Sequence, residues 1–230
     1  MGPQNNNEQW AESQLRLGTS SLDRMAEDPT MNLERAITAF NNAKTVFTRP
    51  SHPEKWGRIM LDLGTSYALR TTGGRQQNLN QAIRCFLDAL QVYTHDRYPH
   101  EWAECQEGLG KAYFRQDNVL SRSVAVEHFQ LALETLTRNE SPEVWHTIHF
   151  YLSLAYGVFD PEIVPSQCEL ASKHYALAFD FDKNLYPALF SSLNSLAELH
   201  KRHAALRAEL KQEKGERPVS DPSSPKGPGQ

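Results

Sequence analysis

The chain has 230 residues, 24 basic against 28 acidic side chains, a formal net charge of −4 and 39% hydrophobic residues. With no excess of Lys and Arg, nucleic acid and anionic membranes are not the expected partners. No apolar run approaches a membrane span and the start is polar and Asn-rich where a leader would be apolar, so a cytosolic protein is the expectation.

Residues 1–7 read as a disordered tail, and the first helix is expected from Glu8 to about Met25, with Pro29 marking a turn. From about Thr30 to Thr48, Leu33, Ala36, Ile37, Phe40, Ala43 and Phe47 recur at helical spacing, because a strand would need a step of two. Pro50 and Pro53 stop that helix, and Pro53, Pro99 and Pro142 each precede a tryptophan by three residues. Proline is tolerated in a first turn because its missing N–H has no partner inside the helix. Glu54, Glu101 and Glu143 add negative charge at the positive end of the helix dipole. The segment from Thr71 to Gln77 is expected to be a loop and Leu79–His95 a helix, with Leu79, Ala82, Ile83, Phe86, Ala89, Leu90 and Tyr93 as its apolar stripe. The corresponding loop near Gln116–Ser121 is shorter, and residues 160–165 replace it in the next unit. Beyond Pro187 and Phe190 an increasingly polar helix is expected to about Glu213, then a disordered Pro-rich tail.

These elements are copies. Trp10, Trp56, Trp102 and Trp145 are spaced by 46, 46 and 43 residues, and Gly18, Gly64, Gly110 and Ser153 each follow eight residues later. Asn32-Leu33-x-x-Ala36-Ile37-x-x-Phe40-x-x-Ala43 is answered by Asn78-Leu79-x-x-Ala82-Ile83-x-x-Phe86-x-x-Ala89, then by Ala125, Phe129 and Ala132 and by Ala171, Tyr175 and Ala178. A period of this size marks units that cannot bury their apolar faces alone. Phe40, Phe86, Phe129 and Tyr175 are expected to fill the space between units, with Gly64 and Gly110 allowing close helix approach.

Leu63-Gly64-x-x-Tyr67 and Ala82-x-x-x-Phe86-x-x-Ala89 resemble the tetratricopeptide (TPR) signature, over roughly residues 10–185. The unit is longer than the usual one and is similar to the TPR arrays that accompany CHAT protease domains, though no catalytic segment of that type is found. The resemblance implies an all-α solenoid of four helical hairpins in a right-handed superhelix. One domain is expected over residues 8–213, with repeats at about 10–52, 56–98, 102–141 and 145–183, a capping helix at about 187–213, and tails at 1–7 and 214–230.

In that register the concave face is lined by residues two, five, nine and twelve after each Trp. The expected partner groove is Arg58, Leu61, Thr65, Glu104, Glu107, Lys111, Phe114, Phe150 and Leu154, with Glu12, Leu15, Thr19, Leu22, Ala68, Thr147 and Gly157 at the remaining positions. Leu61, Phe114, Phe150 and Leu154 would supply apolar contact, and the charged residues would fix orientation. The alternative is that these side chains are covered by their own neighbours. TPR domains that clamp chaperone carboxylates are similar in placing Lys and Asn at the five and nine positions, where this chain has Leu15, Leu61, Glu107 and Phe150, and Thr19, Thr65, Lys111 and Leu154, so that ligand is not expected.

No catalytic residues, metal or cofactor are expected. His146 and His149, and likewise His200 and His203, sit one turn apart without companion ligands. Gly73-Gly74-Arg75 lacks the Lys-Ser or Lys-Thr of a P-loop, and no GxSxG occurs. Cys85, Cys105 and Cys168 have no CxxC spacing, and the latter two occupy positions held elsewhere by Ile and Leu. The expected function is a non-catalytic scaffold or adaptor for a helical or extended apolar segment of a protein partner. Two rivals are a homodimer formed through the last helix, whose Leu189, Leu196, Leu199, Leu206 and Leu210 approach a heptad seam, and a regulatory subunit of a separately encoded enzyme such as a CHAT-type protease.

Overall fold

A computed structural model of the chain describes residues 3–24, 27–156 and 165–180. Among the described residues there are eight α-helices and no strand: α1 (Pro3–Asp23), α2 (Pro29–Lys44), α3 (Pro53–Leu69), α4 (Arg75–Ala89), α5 (Pro99–Arg115), α6 (Val119–Ala132), α7 (Pro142–Tyr156) and α8 (Pro165–Phe179). The expected last helix, its leucine seam, His200 and His203, Gly157 and the tail beyond residue 213 lie outside the described residues.

Proline opens six of these helices, and at Pro29, Pro53 and Pro99 it stands in the first turn. Side chains that can accept cap two starts: Asp28, at α2, accepts from the Met31 amide at 3.0 Å and Asn118, at α6, from the Ser121 amide at 2.9 Å.

The helices pack in chain order. α1 lies against α2, α3 against α4, α5 against α6 and α7 against α8; α2, α4 and α6 also touch the helix that follows, and α1–α3, α3–α5 and α5–α7 are in contact. Within the pair α3 and α4, Gly57 near the start of α3 faces Tyr93 beyond the end of α4, while the Asn78 amide near the start of α4 donates to the Thr72 carbonyl at 2.8 Å. The two helices therefore run antiparallel.

One contact recurs through the first three pairs. A methyl group at Gly18 would lie 2.5 Å from the Phe40 ring, at Gly64 2.7 Å from Phe86, and at Gly110 2.6 Å from Phe129. The three phenylalanines are buried to within 2% of complete exclusion. Each ring fills the notch left by the missing side chain, and burying such a ring contributes about 3 kcal/mol. Phe86 has a second notch, because a methyl group at Gly108 of the next pair would lie 2.5 Å from it.

Four boundaries differ from expectation. α1 begins at Pro3, upstream of Glu8, a turn that propagates from the packed part of the helix. α2 and α4 end at Lys44 and Ala89, short of Thr48 and His95, and α4 begins at Arg75, inside the expected loop. The early ends share a cause. Past Lys44, Ala89 and Ala132 the backbone tightens into turns, with Val46, Val92 and Thr135 donating to Ala43, Ala89 and Ala132. One residue later Phe47, Tyr93 and Leu136 donate to the same three carbonyls and are buried, so the last apolar anchor of each stripe belongs to the turn.

The fourth pair departs further. Tyr175 was expected to fill an inter-unit space, yet it is 39% exposed, while Ala178 is fully buried. Ser153 stands where the other first helices have glycine, and its hydroxyl donates to the Phe150 carbonyl at 2.7 Å. The register position that glycine holds elsewhere thus carries a side chain in α7, and among the described helices α8 packs chiefly on α7.

Candidate functional site

The residues singled out as a groove lie on α3, α5 and α7, and neighbouring helices bring equivalent positions together. Arg58 and Glu104 each stand two residues after a tryptophan, and the Arg58 guanidinium reaches the Glu104 carboxylate at 3.5 Å. The same guanidinium pairs with Asp62 one turn along α3, at 3.1 Å. Lys111 pairs with Glu107 one turn apart on α5, and Lys55 with Glu12 at 2.8 Å. The charges on this face are therefore interlocked within and between helices, and each exposed pair contributes at most about 1 kcal/mol.

Asp62 did not stand out in the sequence. It is 4% exposed, at a register position held by Gly108 on α5. Burial pushes its carboxyl up to about 6, with Arg58 acting in the opposite sense.

The apolar residues divide. Phe114 is half-buried, packs edge-to-face on Tyr151 of α7 with ring centres 5.3 Å apart, and carries the Arg122 guanidinium 5.8 Å from its centre. Leu154 is half-buried, and Thr65 is half-buried with its hydroxyl donating to the Leu61 carbonyl at 3.2 Å. Leu61 and Phe150 are 6% and 0% exposed. These two expected contact residues are thus core residues: at the five position the neighbouring helices cover the side chain, and neither offers free surface. Of the flanking positions, Thr19 is exposed and Glu12, Leu15, Leu22, Ala68 and Thr147 are half-buried.

The histidines of α7 belong to the interior between α7 and α8. His146 is 1% exposed and donates from Nδ1 to the Leu177 carbonyl at 2.9 Å. His149 Nδ1 lies 2.7 Å from His174 Nδ1, so one ring must donate and the other accept; the rings stack, and Tyr156 stacks on His174. Trp145 meets His149 edge-on with centres 4.1 Å apart. Burial pushes His149 down to about 4, with His174, His146 and Lys173 adding repulsion, and burial lowers His146 and His174 as well. His174 passed unnoticed in the sequence, but the repeat register holds the signal: it falls at the position of buried Ala39 and Cys85. Among the described residues no group of three or more His, Cys, Asp or Glu is arranged to hold a metal ion.

Cys85 and Cys105 are buried free thiols, and burial raises both, Cys85 to about 12, so they stay protonated and pack as small apolar groups. Cys168 lies outside the residues whose side chains are described. Among the described residues no helix is long and apolar enough to cross a membrane.

Asn32 and Asn78 also have a role that the sequence pattern left unassigned. Both are buried, and their side-chain amides donate to Arg24 and Thr72 carbonyls at 2.8 Å, tying the end of one helix to the start of the next. Ser121 holds the same register position on α6, buried, with its hydroxyl 2.8 Å from the Gln116 side chain. Comparison of the chain with protein-family models, with curated proteins and with solved structures returns no match.

Proposed function

We propose that the chain is a TPR-like α-solenoid acting as a non-catalytic scaffold or adaptor, with a segment of a protein partner lying across the exposed face of α3, α5 and α7. The observation that carries this reading is the lateral alignment of equivalent positions, Arg58 beside Glu104, on first helices that touch in the order α1, α3, α5, α7. Stacked units of this kind present an extended face to which each helix contributes in turn.

Because Leu61 and Phe150 are buried, the apolar contact area reduces to Phe114 and Leu154, half-buried and flanked by Arg58, Glu104, Glu107 and Lys111. A segment suited to that surface carries one large apolar side chain with charged residues of both signs beside it, since an anchor set in a polar rim concentrates binding energy. The reading needs no cofactor and no catalytic group.

Affinity capture with mass spectrometry, comparing the wild-type chain with Phe114→Glu and Leu154→Glu variants whose helical content is unchanged, tests it. The expected result is loss of the specific partner from both variants. Recovery of the same proteins in the same amounts from all three would overturn the assignment of the face.

A further inference from the structure

A second place on the molecule gathers positive charge that is not fully paired among the described residues. The end of α3, the loop after it, the first turns of α4 and the end of α5 enclose a cleft of about 380 Å³, lined by Ala68, Leu69, Arg70, Thr71, Arg75, Asn78, Leu79 and Arg115. Three arginines and no acid line it.

The three guanidiniums are not equivalent. Arg70 is committed, since its Nε and Nη2 meet the two oxygens of Glu34 at 2.7 and 2.9 Å, a two-pronged pair that Thr72 completes by donating to the same carboxylate. Arg70 and Thr72, by donating hydrogen bonds, hold Glu34 below the usual carboxylate range. Arg115 donates from Nη1 to the Ala68 carbonyl at 2.7 Å, and Arg75 from Nη2 to the Arg115 carbonyl at 3.0 Å. Among the described residues neither Arg75 nor Arg115 has a carboxylate within ion-pair distance. Each guanidinium has five N–H donors, and the backbone contact uses one. That contact also fixes the fork, so further bonds to a ligand cost little additional side-chain entropy.

We propose that this cleft is a binding site for a small organic phosphomonoester, its phosphate held between Arg75 and Arg115 and its apolar part resting on Ala68 and Leu69. Two uncompensated guanidiniums match a dianion, and their planar forks suit phosphate oxygens. The volume is several times what a bare phosphate needs, and the aliphatic lining favours a ligand with a hydrophobic substituent. The glycine pair Gly73-Gly74 keeps the loop beside the cleft free of bulk, with Gly73 at φ +75°. The site shares only Ala68 with the face proposed for a protein partner, so either assignment can fail alone.

Isothermal titration of the full-length chain with phenyl phosphate, inorganic phosphate and benzoate, at low and at moderate salt, tests the proposal. Phenyl phosphate is expected to bind more tightly than either fragment, and more weakly as salt rises. Arg75→Gln and Arg115→Gln are each expected to weaken it about tenfold or more, the loss of a charge-assisted contact, while Arg84→Gln, on the exposed side of α4, leaves it unchanged. Because Arg115 also holds the Ala68 carbonyl, Arg75→Gln is the decisive variant, read beside an unchanged melting curve. No binding of phenyl phosphate at millimolar concentration, affinity equal to that of inorganic phosphate, or equal affinity in Arg75→Gln would overturn it.

Discussion

The pair α3–α4 and the pair α7–α8 occupy equivalent places in the repeat, yet their interiors are built from different chemistry. In the former a phenylalanine is seated against glycines of two successive pairs, and the contact surface is apolar. In the latter Ser153 takes the place of the glycine, Tyr175 stands half in solvent, and three histidines with Trp145 and Tyr156 fill the space between the helices. An apolar seat is indifferent to acid, whereas neutral imidazoles kept from water are not. The same helical frame thus tolerates either filling, and in α7–α8 the imidazoles make the interior sensitive to acid.

The largest effect is expected at the seat itself. Phe86→Ala should cost about 3–5 kcal/mol, measured by denaturant or thermal unfolding, because it empties space enclosed by two helix pairs. Tyr175→Ala should cost far less, since that ring is already 39% exposed. Equal losses at the two positions would erase the distinction between the pairs.

Next comes Gly64→Ala, whose methyl group would lie 2.7 Å from the Phe86 ring; overpacking of this kind costs roughly 1–3 kcal/mol. Ser153→Ala, in the matching position of α7, removes one local hydrogen bond and should cost about 1 kcal/mol or less.

Two acid responses of opposite sign separate the regions further. The folded Asp62 carboxyl titrates at about 6, above its ordinary value, so its ionisation destabilises the fold above pH 6 and the penalty disappears as pH falls below about 4. Asp62→Asn is expected to be the more stable protein at pH 8, by roughly 1–2 kcal/mol, with the difference gone at pH 4. For His149 the folded value, about 4, lies below the ordinary 6.5, so its contribution is fully present above pH 6.5 and is lost as pH falls through 4. His149→Gln should reduce the acid-induced loss of stability between pH 7 and pH 4.5, by on the order of 1 kcal/mol or more. An identical acid profile in wild type and variant would remove the imidazoles from the account.

What the sequence makes legible follows from how local each cause is. The starts at Pro53, Pro99 and Pro142 and the inward stripe of Leu79, Ala82, Ile83, Phe86 and Ala89 depend on neighbours within one or two turns, and they are where spacing predicts. The glycine at the eighth position and the phenylalanine of the second helix are legible as partners because both recur. The ends of α2 and α4 are not, since an apolar residue in a helical turn and one in the tighter turn after it have nearly the same spacing. Leu61 and Phe150, expected on the groove, are buried, the covered alternative, because coverage at the five position depends on how closely the adjoining helices approach. The arginine cleft joins Arg70, Arg75 and Arg115, which come from three elements, and no single stretch of sequence carries it.

All of this depends on Phe86 being shared between two successive pairs. A double-mutant cycle of Gly108→Ala with Phe86→Leu tests that most directly, because a methyl group at residue 108 meets the ring at 2.5 Å and the smaller leucine would make room for it. The expected result is that Gly108→Ala costs at least about 1 kcal/mol less in the Phe86→Leu background than in the wild type. Strictly additive effects would mean that α5 does not rest on the ring of the preceding pair, and the layered account would be contradicted.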